Sequence, residues 1–147
     1  MRTIKTVFLF LVFFTITSCS KEAEPIQYGN DQCNFCKMNV VDKAHSAQYV
    51  TKKGKQFKYD AIECMVNEIN KLGNINDLAV LLVADFGNPG AMVDAKTATY
   101  LISKGIKSPM GAFLSGFSDK AKAEENKSKF GGQVFDWNSL VELFKNQ

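Results

Sequence analysis

Two thiols and a thioether fall within the six residues Cys33-Asn-Phe-Cys-Lys-Met38. A Cys-x-x-Cys pair alone serves zinc, disulfide chemistry or soft metals. Met38 shifts the balance, because a thioether is a poor zinc ligand and a good one for Cu(I). A third thiol stands at Cys64, and His45 is the only histidine of the chain. Met110 lies in a Pro-Met-Gly turn, where a core side chain is less expected and a flexible thioether is offered outward. Met65, on a helix, and Met92, in an apolar strand, read as core residues. The candidate metal ligands are therefore Cys33, Cys36, Met38, Cys64, Met110 and His45.

Three chemistries compete for this set. Structural zinc needs four good ligands, and here His45 would have to supply the fourth. Thioredoxin-like exchange places its Cys-x-x-Cys at a helix start after a buried strand, where the helix dipole lowers a thiol pKa. Cys33 instead follows the polar segment Gly29-Asn-Asp-Gln32. A sulfur-rich, nitrogen-poor set favours Cu(I), with a structural zinc knuckle and a thiol–disulfide protein as the alternatives. No Ser/His/Asp order and no Gly-rich phosphate loop is present, so no enzyme activity is expected.

The cellular address agrees with metal handling. Arg2 and Lys5 precede an apolar run over residues 7–14, far shorter than the roughly 20 residues of a membrane span. The run leads to Ile16-Thr17-Ser18-Cys19, which resembles a bacterial lipobox. Residues 1–18 thus read as a lipoprotein signal peptide, Cys19 as the lipidated N-terminus and residues 19–27 as a tether. The expected location is the cell envelope, lipid-anchored, with the periplasmic face of an outer membrane favoured. An oxidising compartment favours disulfides, yet Cys33, Cys36 and Cys64 are an odd set, as suits a thiol kept for a metal. Losing Arg2 and Lys5 lowers the formal charge from +3 to +1, with 16 basic and 15 acidic residues remaining. No basic patch interleaved with aromatics appears, so nucleic acid is not an expected partner.

The elements that must position these residues read as α+β. Residues 45–52 and 56–59, joined at Lys53-Gly54, form a β-hairpin. Asp60 and Glu63 read as a capping box for a helix whose apolar stripe, Ile62, Val66, Ile69 and Leu72, stops at Gly73. Residues 78–84 are a buried strand, 85–90 a loop, 91–93 a short strand and 95–103 a helix. A turn at 108–111, a strand at 112–117, a charged helix ending at Gly131-Gly132, a strand at 133–135 and a helix capped by Asp136 complete the chain. Knuckle, hairpin and helix start follow the order of a treble clef. Residues 28–147 read as one copper-binding domain of two small modules, about 28–77 and 78–147.

Five motifs in order resemble the NosL family: Cys33-x-x-Cys36-x-Met38, Tyr59-Asp60 before Glu63-Cys64-Met65, Val93-Asp94-Ala95 before Ala98 and Tyr100, Ser108-Pro109-Met110-Gly111, and Gly131-Gly132 before the last helix. The resemblance implies two ββα-type modules of treble-clef character. It also implies a lipoprotein metallochaperone that supplies Cu(I) for the copper centre of nitrous oxide reductase. The implied partners are that enzyme, its membrane copper-insertion transporter complex and the membrane itself. The family's metal-site candidates fall on Cys36, Met38 and Met110, with Cys33 as a further one. Two positions depart from the pattern. Lys37 stands where the family often has glycine, which puts the loop conformation in question. Met92-Val-Asp94 lacks a larger aromatic before the aspartate.

Overall fold

Alternating side chains and a glycine turn make the first hairpin, and the helix Ile62–Leu72 and the strand Leu78–Ala84 are laid against it. The computed structural model describes residues 21–73 and 75–146. The expected signal peptide and lipidated Cys19 lie outside the described residues. Strands β1 (Ala47–Thr51) and β2 (Gln56–Tyr59) pair antiparallel, Ala47 opposite Tyr59. Helix α1 (Ile62–Leu72) follows and ends at Gly73, whose φ of 68° is the left-handed closure that glycine allows. A single 3-10 turn then leads into β3 (Leu78–Ala84), which pairs with the other side of β1. Short β4 (Met92–Asp94) completes an antiparallel sheet in the order β2-β1-β3-β4.

The second sheet has the order β6-β5-β7, built from β5 (Thr99–Ile102), β6 (Leu114–Phe117) and β7 (Gln133–Phe135). Helices α2 (Lys120–Phe130) and α3 (Trp137–Lys145) flank β7 in sequence. Asp119 and Asp136 cap them, accepting from the amides of Ala121 and Ser139. Each such cap contributes about 1 kcal/mol. The order β-β-α recurs, as β1-β2-α1 and β5-β6-α2, and the α+β class holds. The first sheet draws β3 and β4 from beyond residue 77, so the two sheets divide the chain after Asp94.

One apolar core serves both sheets. Tyr49, Tyr59, Ile62, Met65 and Ile69 from the first half join Tyr100, Leu114, Trp137 and Leu140 from the second. Trp137 meets Tyr100 with ring centroids 6.0 Å apart. A smaller cluster, Leu101, Ile106, Phe117 and Ala123, lies under α2. Gly116 lets β6 approach β3: a Cβ there would stand 3.1 Å from the Ala84 carbonyl oxygen and from Ile62 Cδ1.

Two expected local structures do not form. The helix over 95–103 is a turn followed by β5. Asp94 closes that turn, its carboxylate taking the Lys96 amide and its carbonyl the amides of Thr97 and Ala98. Thr99-Tyr-Leu-Ile102 then suits a strand buried between two neighbours, and Tyr100 donates its hydroxyl to the Ala95 carbonyl at 2.6 Å. The Asp60–Glu63 capping box is also absent. Ala61 is the N-cap of α1 and no side chain caps it, because both carboxylates are drawn to other partners. Met65 is fully buried as expected, Met92 is half-buried in β4, and Leu72 is 50% exposed at the end of its stripe.

Residues 22–31, expected in part to be a tether, are held on the hairpin. Tyr28 and Ser46 share a hydroxyl hydrogen bond at 3.0 Å, Lys58 donates to the Pro25 carbonyl at 3.1 Å, and Gln56 exchanges hydrogen bonds with the Glu24 amide and the Glu22 carbonyl. Lys58 also pairs with Asp31 at 2.7 Å.

The tightest backbone passage lies where β7 begins. Gly132 has φ of 107°, and a Cβ on it would fall 2.2 Å from the Ile102 carbonyl oxygen. Gly132→Ala should destabilise by more than about 1 kcal/mol, since alanine is strained at positive φ. The urea unfolding midpoint measures it.

Candidate metal centre

The knuckle is a tight backbone loop before it is a metal site. Cys33 donates its amide to the Met38 carbonyl at 2.8 Å, and Lys37 donates its amide to the Cys33 carbonyl at 3.0 Å. The closure requires φ of 67° at Lys37, a conformation that costs a residue with a Cβ roughly 1–2 kcal/mol. The loop therefore adopts at Lys37 the geometry glycine would take, and the Lys37 ammonium reaches back to the Asn34 carbonyl at 2.5 Å. The departure from the family pattern leaves a left-handed conformation in place.

A second set of bonds fixes the knuckle to α1. Asn34 donates its side-chain amide to both oxygens of Glu68, at 2.6 and 2.9 Å, and its backbone amide to the Lys58 carbonyl. Lys71 lies 4.4 Å from the centre of the Phe35 ring. Cys64 and Glu68 are four residues apart and share a helix face. The result is convergence: Cys33, Cys36, Cys64 and Asp60 each bring one ligand atom, all within 4.8 Å of one another. All three cysteines are unbridged.

The electrostatics of the group are uneven. The hydrogen bond from the Cys64 thiol holds the Cys33 thiol down at about 6, against a burial effect that opposes it. The same hydrogen bond, with burial, pushes Cys64 far up. Burial raises Cys36 to about 11, and its thiol donates to Asp60 Oδ1 at 3.4 Å. At neutral pH the group is one thiolate stabilised by a neighbouring thiol. Asp60 Oδ2 is buried without a hydrogen-bond partner, an acceptor oxygen left over in a site rich in sulfur.

The sequence-predicted ligands are brought together in part. Cys33, Cys36 and Cys64 converge. His45 does not join them: it is 4% exposed, its Nδ1 lies 2.8 Å from Asp42 Oδ2 and its Nε2 3.2 Å from Ser115 Oγ. Both ring nitrogens are committed, Nδ1 to Asp42 in the loop before β1 and Nε2 to Ser115 of β6. Met38 and Met110 are about half exposed, the first just past Cys36. The Met110 turn is fixed to the helix carrying Cys64, since Ser108 donates to Glu63 Oε1 at 2.6 Å and the Ala112 amide to the same oxygen at 3.4 Å.

Sequence reasoning assigned Asp60 and Glu63 to helix capping and passed over Asn34 and Glu68. The signal for Asp60 was its four-residue offset from Cys64 across a helix start. No comparable signal marked the Asn34–Glu68 contact, whose partners are 34 positions apart.

These shifts predict a titration. Cys33 should ionise with a midpoint of about 6 in the metal-free protein, followed by ultraviolet thiolate absorbance. Its folded value lies below the ordinary thiol value of 9.0, so the stability it contributes is full above 9.0. That contribution declines as pH falls and is lost through the folded midpoint. Cys64→Ala should move the midpoint back towards 9.0. An unchanged midpoint would remove Cys64 as the cause. Glu68→Ala, which frees the knuckle from α1, should weaken metal binding by about 10- to 100-fold, the usual effect of losing an outer partner.

Comparison with known proteins places this geometry. The NosL family model matches residues 26–142. The copper-binding lipoprotein NosL of Stutzerimonas stutzeri is 25% identical over 150 residues, covering 92% of this chain and 78% of that protein. The crystal structure of the copper chaperone NosL from Shewanella denitrificans aligns with a TM-score of 0.70 at 19% identity, over 81% of this chain and 95% of that one. That likeness is one of fold. The matched span takes in the three thiols, Asp60, Met38 and Met110, and the chain belongs to the NosL family.

Proposed function

We propose that this protein is a Cu(I)-binding metallochaperone of the cell envelope. In this reading it is anchored through an acylated Cys19 and passes copper on for the copper centre of nitrous oxide reductase, beside a membrane copper-insertion transporter. The observation that carries the proposal is the meeting of three thiols at Asp60. Thiolate and thioether ligands select soft Cu(I), and the half-exposed Met38 and Met110 offer thioethers from which the ion could be taken up or handed on. The relatives named above carry copper in their names, and that kinship supports the reading. The protein has no catalytic part in it, because delivery needs only ligand exchange.

Asp60 gives zinc a specific claim of its own. Three thiolates and one carboxylate oxygen make a four-donor set within the range of zinc sites. The two metals separate in a competition between Cu(I) and Zn(II) under reducing conditions, read by native mass spectrometry. Cu(I) should displace Zn(II). Cys36→Ser should lower Cu(I) affinity by about tenfold or more, a loss of at least roughly 1.4 kcal/mol. Asp60→Asn should weaken zinc far more than copper. Retention of Zn(II) against Cu(I), or unfolding on chelation of zinc, would favour the structural-zinc reading. Delivery is tested in the native host, where loss of this protein should leave nitrous oxide reductase deficient in copper.

Met110 is the second-half contribution. Met110→Leu roughly conserves volume, so its stability change should stay below about 1.5 kcal/mol. Cu(I) affinity should nevertheless fall. Equal affinity in the variant, measured with a chromophoric chelator, would confine the ligands to the first half.

A further inference from the structure

The segment that leads to the anchor is laid along the first hairpin in a definite direction. Tyr28 bonds Ser46 at the base of β1, Pro25 meets Lys58 midway, and Glu22 and Glu24 meet Gln56 next to the turn. Followed towards the N-terminus, the chain therefore runs from the base of the hairpin to its tip. Glu22 lies three positions after Cys19, a reach of at most about 11 Å when fully extended. The tip is Lys52-Lys-Gly-Lys55, with all three lysines exposed, and Lys21 is exposed beside the docked segment.

The tip is also rigid. Thr51 donates its amide to the Lys55 carbonyl at 3.0 Å and Gly54 to the Thr51 carbonyl at 2.8 Å, while the Lys52 amide bonds the Asp77 carbonyl at 2.7 Å. Lys55 rests 4.7 Å from the Phe57 ring centre. Asp60 follows directly on β2 at the opposite end. Five residues of strand from Lys55 to Asp60 span about 16 Å.

We propose that the β1–β2 hairpin tip is a membrane-contact surface, with Lys52, Lys53 and Lys55 against phospholipid headgroup phosphates and the thiol group held at the far end, facing away from the bilayer. This rests on the acylation of Cys19 given above. The docked residues 22–25 leave almost no slack between lipid and domain, so the anchor sets an orientation as well as an address. Glu22, Glu24 and Asp77 lie near the lysines, so the contact depends on the anchor and is not a free-standing basic patch.

The test uses the acylated full chain on vesicles of phosphatidylcholine and phosphatidylglycerol, with lysine acetylation read by peptide mass spectrometry. Lys52, Lys53 and Lys55 should be labelled several-fold less than the equally exposed Lys104, Lys107 and Lys120, and the difference should shrink once detergent dissolves the vesicles. Gln56→Ala with Lys58→Ala, which releases the docked segment, should restore labelling at the tip while the chain stays on the vesicles. Tip lysines labelled as fast as the others in the acylated chain would overturn the contact and leave the anchor standing. An N-terminal peptide without the lipid mass would overturn both.

Discussion

A buried carboxylate joins the two halves. Glu63 is 3% exposed and takes the Ser108 hydroxyl and the Ala112 amide on one oxygen. Burying a carboxylate costs several kcal/mol unless its hydrogen bonds are supplied. The 108–112 turn supplies both of those to Oε1, while Oε2 is buried without a partner among the described residues. The first turn of α1 therefore fixes the Pro-Met-Gly turn of the second sheet, and Cys64 stands in that same turn. Removing the contact would free the Met110 turn from the helix that carries Cys64.

The thiol group works by an unequal division of protons. Cys33 carries the charge, Cys64 keeps its proton and lends it as a hydrogen bond, and Cys36 donates towards Asp60. Under the proposed function, metal binding would release protons from Cys36 and Cys64 and so couple affinity to pH. In the proposed chaperone a pre-formed thiolate would give an arriving soft ion its first ligand, and the other two would be recruited as their protons leave. Such stepwise exchange suits a carrier better than four ligands closed from the start.

Most of this order was legible in the sequence, and the gaps have physical reasons. Gly54, Gly73 and Asp136 marked the hairpin turn, the end of α1 and the start of α3 because each acts locally. The 95–103 segment misled because alanines and a lysine suit a helix, whereas burial between β6 and β7 decides for a strand. Asp60 and Glu63 misled for the same cause. Their spacing matches a capping box, but a thiol 24 residues back and a serine 45 residues on make stronger claims. His45 could be named only as a candidate fourth ligand, because Ser115 becomes its partner only once β6 has packed on the first sheet.

The separations in sequence also imply an order of assembly. Knuckle, hairpin and α1 lie within residues 33–72, so the contacts among them close shorter loops than those made to β3 and α3. β3 must come back across α1 to reach β1, and the Glu63–Ser108 bond closes a longer loop still. A chain that emerges N-terminus first would complete its thiol cluster while the Met110 turn was unfolded. Pulse-labelled hydrogen exchange would read that sequence of events directly. In the proposed chaperone the thiols would then assemble before the Met110 thioether is in place, so a partly folded chain would offer a soft ion an incomplete set of donors.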